Sequence, residues 1–284
     1  ALQSRGFRLI EAIVIALIAT IGGCFAYEIF FARPLWLDAA RGWVPTLEII
    51  RNPAMLYIAI GILGATVMPH NLYLHSAIVQ TRAFGRDNEN KRDAVKYAVI
   101  DSTIALFFAL FINAAILVLG AAAFHTRGMG HVAELDQAYQ LLTPVLGASF
   151  ASILFAVALL CSGQNSTLTG TLAGQIVMEG FLNFRLPPWL RRRLTRLIAI
   201  VPAAIVVGVM GEHQATNLLI LSQVILSMQL PFAVIPLVIF TSSKAKMGAF
   251  VNRPATVVIA WVMAFTILAL NIELLRQVFT AWLS

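Results

Sequence analysis

The sequence predicts an all-α integral membrane protein, and three observations support this prediction. Of the 284 residues, 60% are hydrophobic and 12% are charged, with a mean hydropathy of +0.84. A soluble globular protein has about 25% charged residues. The apolar residues form long runs that are apolar on both alternations, unlike the alternating segments of about 10 residues in a membrane β-barrel. The basic residues concentrate in alternate loops, which is typical of helices that cross a bilayer.

Seven apolar runs approach the roughly 20 residues that a helix needs to cross the hydrocarbon. The fifth is the shortest, and the second is interrupted. Between the first two runs, residues 33–52 read as an aromatic and proline-rich interfacial loop. The predicted spans are residues 8–32, 53–82, 94–124, 147–182, 194–210, 217–240 and 255–275.

The basic residues also predict an orientation. Fifteen of the 20 Lys and Arg residues fall on one side of the predicted spans, including Arg191, Arg192 and Arg193, and five fall on the other. The richer side of a membrane protein faces the cytoplasm. We therefore expect the N-terminus of this chain inside and its C-terminus outside. The net charge of +7 reflects these loops and gives no reason to expect nucleic acid as a partner; membrane lipid is the expected surrounding.

The second run contains Met68-Pro69 and two histidines. Proline has no N–H and clashes with the preceding turn, so the helix should break there. A helix break at membrane depth is tolerated where it is buried in protein or lines a cavity. The carbonyls of about Ala65 and Thr66 then lose their amide partners. Such oxygens, at the negative end of a half-helix, favour a cation.

Met68 adds a soft sulfur, which first-row transition metals accept more readily than Mg²⁺ or Ca²⁺. The alternative is that Met68 only fills a gap in packing. His70 and His75 are five residues apart and point about 140° from each other, so they are not a same-face metal pair. They fit proton handling, since imidazole titrates near neutral pH, or hydrogen bonds between helices.

Three other spans contain polar residues or glycines that suggest a role in metal binding or in helix packing. In the sixth span Gln223 and Ser227 share one helix face, and a buried amide oxygen of Gln223 would complete the coordination of a metal. Gln229, just before Pro231, suits packing or repair of the backbone. Asn113 falls near the middle of the third span. Gly170 and Gly174 in the fourth span predict close helix packing.

Three segments resemble the Nramp family of proton-coupled divalent-metal transporters. They are residues 68–76 (MPHNLYLHS), residues 163–181 (GQNSTLTGTLAGQIVMEGF), and the pair 222–223 (SQ) followed by 229–232 (QLPF). The resemblance covers the whole chain and corresponds to family helices five to eleven. It implies a LeuT-like fold of two inverted repeats, in which the first helix of each repeat is broken and the ion lies between the breaks.

By this resemblance, the chain is one transmembrane domain. Residues 1–34 end the first repeat, residues 53–240 form the second, and residues 255–280 form an extra C-terminal helix. The implied metal ligands are the Ala65 carbonyl, the Met68 sulfur and Gln223. By the same resemblance, Thr66 and Asn113 lie near the metal site or the outer gate. His70 and His75 match positions linked to proton movement, and Arg196 matches an arginine of a salt-bridge route in the proton pathway.

The family's first broken helix carries an Asp-Pro-Gly-Asn motif, which this sequence lacks. We therefore expect a further partner: N-terminal helices that carry this motif and supply its metal-binding Asp and Asn. The implied function is proton-coupled import of Mn²⁺ or Fe²⁺ across a bacterial inner membrane, without a permanent cofactor. A sodium-coupled amino-acid carrier of the same fold and a non-transporting metal-binding protein, either a sensor or an inactive remnant, remain alternatives. An enzyme is not expected, because the sequence shows no pair of residues that would act as nucleophile and base.

Overall fold

The computed structural model describes residues 7–81, 85, 87–130, 132, 134–181, 187–211 and 215–283, and in these ranges every regular element is helical. These ranges contain six long helices of 23 to 36 residues and six shorter ones of 4 to 14 residues. Turns of 3₁₀ helix lie at His125–Arg127 and Gly248–Phe250. The α-helices are α1 (Phe7–Ala32), α2 (Trp36–Arg41), α3 (Glu48–Arg51), α4 (Pro53–Thr66), α5 (Pro69–Gln80), α6 (Asn88–Ala123), α7 (Leu135–Leu146), α8 (Ala151–Phe181), α9 (Pro188–Met210), α10 (Ala215–Ser242), α11 (Lys244–Met247) and α12 (Pro254–Leu283).

Six helical segments in the described ranges are long and apolar enough to cross a membrane. They correspond to six of the seven predicted runs. The remaining run, residues 194–210, lies in α9, where the apolar stretch Ile200–Val209 is shorter than a full span. The six segments are Leu9–Ala32, Pro53–Gln80, Asn88–Arg127, Ala151–Met178, Ala215–Ser242 and Pro254–Thr280.

The chain divides into two compact units. The first comprises Ala1–Val44 and Asp93–Leu172. Its core contains Phe25 of α1, Leu119 of α6, Leu142 of α7 and Phe155 of α8, all nearly inaccessible to solvent. The connection from α7 to α8 is held locally. Gly147 adopts φ +64°, which suits glycine because it has no β-carbon. The hydroxyls of Thr143 and Ser152 each accept a hydrogen bond from the other residue's backbone N–H, both at 3.1 Å.

The second unit comprises Pro45–Arg92 and Ala173–Ser284. Its core forms where α4, α10 and α12 meet, and it consists of Leu56, Ile60, Val224 and Leu274. Asn52 starts α4 as an N-cap: its Oδ1 accepts hydrogen bonds from the N–H groups of residues 54 and 55, at 3.0 and 3.3 Å. Pro53 follows at the first helical position, where no intrahelical donor is needed. The helix that leads into the break is therefore fixed at its start.

Two sequence-based expectations need correction. The segment 33–52 is not a simple loop, because it contains the short helices α2 and α3. Local i→i+3 and i→i+4 hydrogen bonds, such as the bond from the Gly42 N–H to the Asp38 carbonyl, form these turns. The close packing expected at Gly170 is also not found in the described residues, since a β-carbon there would have no atom within 4 Å.

Candidate metal site

The helix break lies where the sequence predicts it. Helix α4 ends at Thr66 and α5 begins at Pro69. Between them, Val67 (φ −114°, ψ 83°) is not helical and Met68 (φ −83°, ψ 126°) is extended. The Val67 N–H still donates to the Leu63 carbonyl at 2.9 Å, and the Asn71 N–H donates to the Met68 carbonyl at 3.0 Å. The interruption is therefore confined to two residues.

The break leaves carbonyl oxygens at the end of α4 without helical partners. Pro69 has no N–H to donate to the Ala65 carbonyl. Within the described part of the chain, no hydrogen bond reaches the carbonyl oxygens of Ala65 and Thr66. The Thr66 hydroxyl does not replace the missing donor, because it donates back to the Ile62 carbonyl at 2.8 Å. The negative end of the α4 dipole adds to the attraction of these oxygens for a cation.

Helix α10 lies directly against the last turn of α4. A β-carbon at Gly64 would overlap the Gln223 carbonyl oxygen and would lie 2.9 Å from the Ser227 nitrogen. Only glycine allows the two backbones to come this close. At Gly61, one turn earlier, a β-carbon would lie 3.4 Å from a methyl group of Ile220, which is close to an ordinary contact. The structure therefore places Gln223 beside the residue that precedes Ala65.

The side chain of Gln223 has an unused acceptor. Its Nε2 donates to the Ser222 hydroxyl at 3.1 Å, and that hydroxyl donates to the Leu219 carbonyl at 2.7 Å. The Gln223 Oε1 is buried and has no hydrogen-bond partner among the residues that the structure describes. A buried oxygen without a donor is costly unless an ion or water occupies the place of that donor. This amide oxygen belongs to the helix whose backbone packs against the last turn of α4.

The two other residues predicted at the break are accessible to different degrees. Met68 is half-buried at the break itself, and Thr66 is exposed at the end of α4. His70 and His75 both lie on α5, where His70 is half-buried and His75 is exposed. The two imidazoles therefore have different surroundings, as their separation around the helix predicts. The role of each residue in binding or proton transfer stays a prediction.

The remaining two predicted site residues belong to other helices. Asn113 is on α6 in the first unit, with an exposed side chain. Arg196 is on α9, but its side chain lies outside the described part of the structure. The structure thus brings Ala65, Met68 and Gln223 to one region through the Gly64 contact.

Two buried polar residues, Asn271 and Glu28, are not among the site residues predicted from the sequence. Asn271 of α12 is 4% exposed and contacts α10 through its amide nitrogen. Glu28 of α1 is completely buried in the first unit, and within the described ranges neither of its carboxylate oxygens has a hydrogen-bond partner. The sequence shows each of them only as a polar residue inside an apolar run, and this pattern does not reveal which other residues it contacts.

In the described residues these features define a class of protein: a helical membrane protein of several spans, with one broken helix and carbonyl oxygens without donors at the break. Comparison with known sequences gives the particular family. Residues 1–277 match the family described as Nramp, natural resistance-associated macrophage protein-like. The chain belongs to the Nramp family.

Curated relatives and solved structures agree with this assignment. The chain is 59% identical over 282 residues to a protein of Nostoc sp. named "Divalent metal cation transporter MntH", covering 99% of this chain and 64% of that protein. A protein of the same name from Listeria innocua is 60% identical over 280 residues, covering 99% of this chain and 62% of the relative. The chain thus spans less than two thirds of the length of these relatives.

A crystal structure of a manganese transporter from Eremococcus coleocola, in complex with an aromatic bis-isothiourea compound, superposes with a TM-score of 0.80 at 39% identity. The match covers 97% of this chain and 60% of that one. It confirms the predicted fold class, an all-α, LeuT-like transporter fold. The division into inverted repeats at residues 1–34 and 53–240 stays a prediction.

Proposed function

We propose that the protein containing this chain imports a divalent transition metal, Mn²⁺ or Fe²⁺, across the membrane by alternating access. One observation carries the proposal: the helix break at Met68-Pro69 frees the Ala65 carbonyl beside a thioether and close to the α4–α10 contact at Gln223. The names of the relatives, a divalent metal cation transporter and a manganese transporter, support the same substrate class.

The proposed ligands from this chain are the Ala65 carbonyl oxygen, the Met68 sulfur and the Gln223 amide oxygen. The first two occupy the break, and the third belongs to the helix packed against it. Two neutral oxygens suit many divalent ions, so the sulfur is the group that discriminates among metals. Mg²⁺ and Ca²⁺ gain little from a thioether, while softer transition metals gain more.

This half of the site contains no carboxylate among its proposed ligands. We therefore propose that helices with the family's Asp-Pro-Gly-Asn motif supply the charged ligands, and that the ion lies between the two broken helices. The metal is then the transported substrate and not a resident cofactor. Rocking of one helical bundle against the other would expose it to each side in turn.

Proton coupling is a separate part of the proposal. His70 and His75 on α5, together with Arg196 on α9, would carry or guide the co-transported proton, because imidazole exchanges protons near neutral pH. Thr66 and Asn113 would lie near the metal site or the outer gate. The distribution of basic residues supports a bacterial inner-membrane location with the N-terminus of this chain in the cytoplasm and its C-terminus outside.

Substitution of the sulfur tests the metal site. In the full-length gene product, we expect Met68→Ala to increase competition by Ca²⁺ against Mn²⁺ uptake by about tenfold. Uptake of Mn²⁺ without competitor should fall less, because the oxygen ligands remain. The measurement is radioactive or fluorescent Mn²⁺ uptake in proteoliposomes with increasing Ca²⁺.

Met55→Ala is the matched control for this test. Met55 lies on α4, more than two turns before the break, and is exposed. Its substitution should leave selectivity unchanged. Equal Ca²⁺ competition in Met68→Ala and wild-type protein would contradict the ligand role of the sulfur. Metal binding without flux in the wild type would favour the non-transporting alternative.

Proton coupling is tested at His75. Glutamine retains hydrogen-bonding groups but does not titrate. We expect His75→Gln to reduce Mn²⁺-driven acidification of the vesicle lumen more than it reduces Mn²⁺ binding. A pH-sensitive dye enclosed in the proteoliposomes measures the first quantity, and calorimetry measures the second. Unchanged acidification per Mn²⁺ transported would remove His75 from the proton pathway.

A further inference from the structure

Helix α10 contains a carbonyl that its own helix does not satisfy. Pro231 lies inside α10, which continues as a helix from Ala215 to Ser242. Because proline has no N–H, the carbonyl of Ser227, four residues earlier, loses its helical donor. Ser227 is completely buried, so water from bulk solvent does not reach it. At this depth in a membrane helix, the carbonyl needs a donor from another part of the protein.

Asn271 of α12 supplies this donor. Its Nδ2 lies 3.1 Å from the Ser227 carbonyl oxygen and 2.9 Å from the Ile267 carbonyl oxygen in its own helix. Both neighbours are acceptors, so the amide must present its NH₂ group to them, which fixes its orientation. The sequence left either packing or backbone repair open as the role of Gln229. That residue is exposed, and the repair comes from α12 instead.

The repaired carbonyl belongs to the stretch of α10 that touches the break. Ser227 follows Gln223 by one helical turn. The Ser227 nitrogen and the Gln223 carbonyl oxygen are the atoms that lie closest to Gly64. The core residues Val224 of α10 and Leu274 of α12 pack in the same region. The hydrogen bond from Asn271 therefore joins α12 to the part of α10 that carries the Gln223 amide.

We propose that Asn271 is a positioning residue: its side-chain amide satisfies the carbonyl freed by Pro231 and thereby holds Gln223 at the helix break. The proposal rests on the proposed function, in which Gln223 is a metal ligand. Asn271 does not contact the metal. It acts through the backbone of α10, and it gives the extra C-terminal helix a part in forming the metal site.

A double-mutant cycle with Pro231 tests the proposal. Alanine at position 231 restores an N–H that can donate to the Ser227 carbonyl, so Asn271 should become dispensable. In the full-length gene product, we expect Asn271→Leu to raise the KM for Mn²⁺ about fivefold, the effect of losing one hydrogen bond. The maximal rate per folded transporter should not change. In a Pro231→Ala background, the same substitution should change the KM by less than about twofold.

A second cycle asks whether Asn271 acts through Gln223. In a Gln223→Ala background, Asn271→Leu should leave the Mn²⁺ KM where Gln223→Ala alone puts it. An additional fivefold rise would overturn the positioning role. Equal effects of Asn271→Leu in the wild-type and Pro231→Ala backgrounds would overturn it as well, since the Ser227 carbonyl would not be the group that matters.

The yield of folded protein provides the second readout. If Asn271→Leu prevents folding, the first cycle is measured on the monodisperse fraction after solubilisation in detergent. Recovery of that fraction in Pro231→Ala/Asn271→Leu supports the repair of the carbonyl, and failure to recover contradicts it. Wild-type protein without Mn²⁺ binding or flux would instead contradict the proposed function, while the folding cycle would still report on the hydrogen bond.

Discussion

Two prolines in neighbouring helices free a backbone carbonyl in the same way, and the structure treats the two carbonyls differently. Pro69 removes the helical donor of the Ala65 carbonyl, and Pro231 removes that of the Ser227 carbonyl. Asn271 donates to the Ser227 oxygen at 3.1 Å, and α10 continues as one helix. The Ala65 oxygen receives no donor from the described residues, and the helix is interrupted there.

The difference separates a structural proline from a functional one. A membrane helix tolerates proline when neighbouring groups satisfy the freed carbonyl. At Ser227 the protein supplies such a group from α12, so the oxygen forms a hydrogen bond that joins α10 to α12. At Ala65 the oxygen stays available beside Met68, and a cation can take the place of the missing donor. The role of a freed carbonyl therefore depends on whether another group donates a hydrogen bond to it, and less on where the carbonyl lies in its helix.

The largest effect should follow from a side chain at Gly64, because this residue joins both regions. Gly64→Val would force α4 away from the α10 backbone at Gln223 and Ser227. We expect destabilisation of about 3 kcal/mol, the upper range for overpacking, and loss of Mn²⁺ uptake. Thermal unfolding of the purified full-length protein and uptake in proteoliposomes measure these effects.

Gly61→Ala is the control at the neighbouring glycine of α4, since a β-carbon there would lie 3.4 Å from the nearest atom, the Cγ2 methyl group of Ile220. It should leave the melting temperature and uptake near their wild-type values. Similar behaviour of the two variants would mean that the close contact at Gly64 is not required for folding or transport.

The next effect should follow from restoring the donor at position 69. Pro69→Ala returns an N–H that can bond to the Ala65 carbonyl and extend α4 into α5. We expect Mn²⁺ affinity to fall at least about tenfold without loss of thermal stability, because the helix gains a hydrogen bond. Pro231→Ala, with Asn271 intact, should affect Mn²⁺ affinity much less. Equal loss of affinity in both variants would remove the distinction between the two prolines.

The smallest effect should come from the Thr66 hydroxyl. This hydroxyl donates to the Ile62 carbonyl and so does not compete with a metal for the freed oxygens. We expect Thr66→Val to change Mn²⁺ affinity by about twofold, and Thr66→Ser, which retains the hydroxyl, to match the wild type. Titration of the full-length protein with Mn²⁺ measures both. A tenfold loss in Thr66→Val alone would indicate that the hydroxyl turns towards the metal.

The elements that depend on local chemistry could be predicted from the sequence. The break at Met68-Pro69 follows from the missing N–H of one residue, and the structure has α4 ending at Thr66 and α5 starting at Pro69. Long apolar runs likewise predicted six of the segments that can cross a membrane. In the short run 194–210, charged residues precede the apolar stretch Ile200–Val209, so composition alone defined its ends poorly.

The elements that depend on contacts between helices could not be predicted. The sequence shows that Gly64 precedes the break, but its contact with Gln223 depends on the packing of α4 against α10. Asn271 is 44 residues from Ser227, and nothing in the sequence around Asn271 identifies Ser227 as its hydrogen-bond partner. Gly170 shows the opposite error, because a small residue permits close approach but does not supply a neighbouring helix.

The bond between Asn271 and Ser227 has a consequence for biosynthesis. The ribosome completes α10 before α12, so α10 enters the bilayer while its Ser227 carbonyl still lacks the amide that satisfies it. The proline-containing stretch next to Gln223 can take its final hydrogen-bonded form only after α12 has been inserted. Maturation of the region around the helix break therefore waits for the insertion of α12.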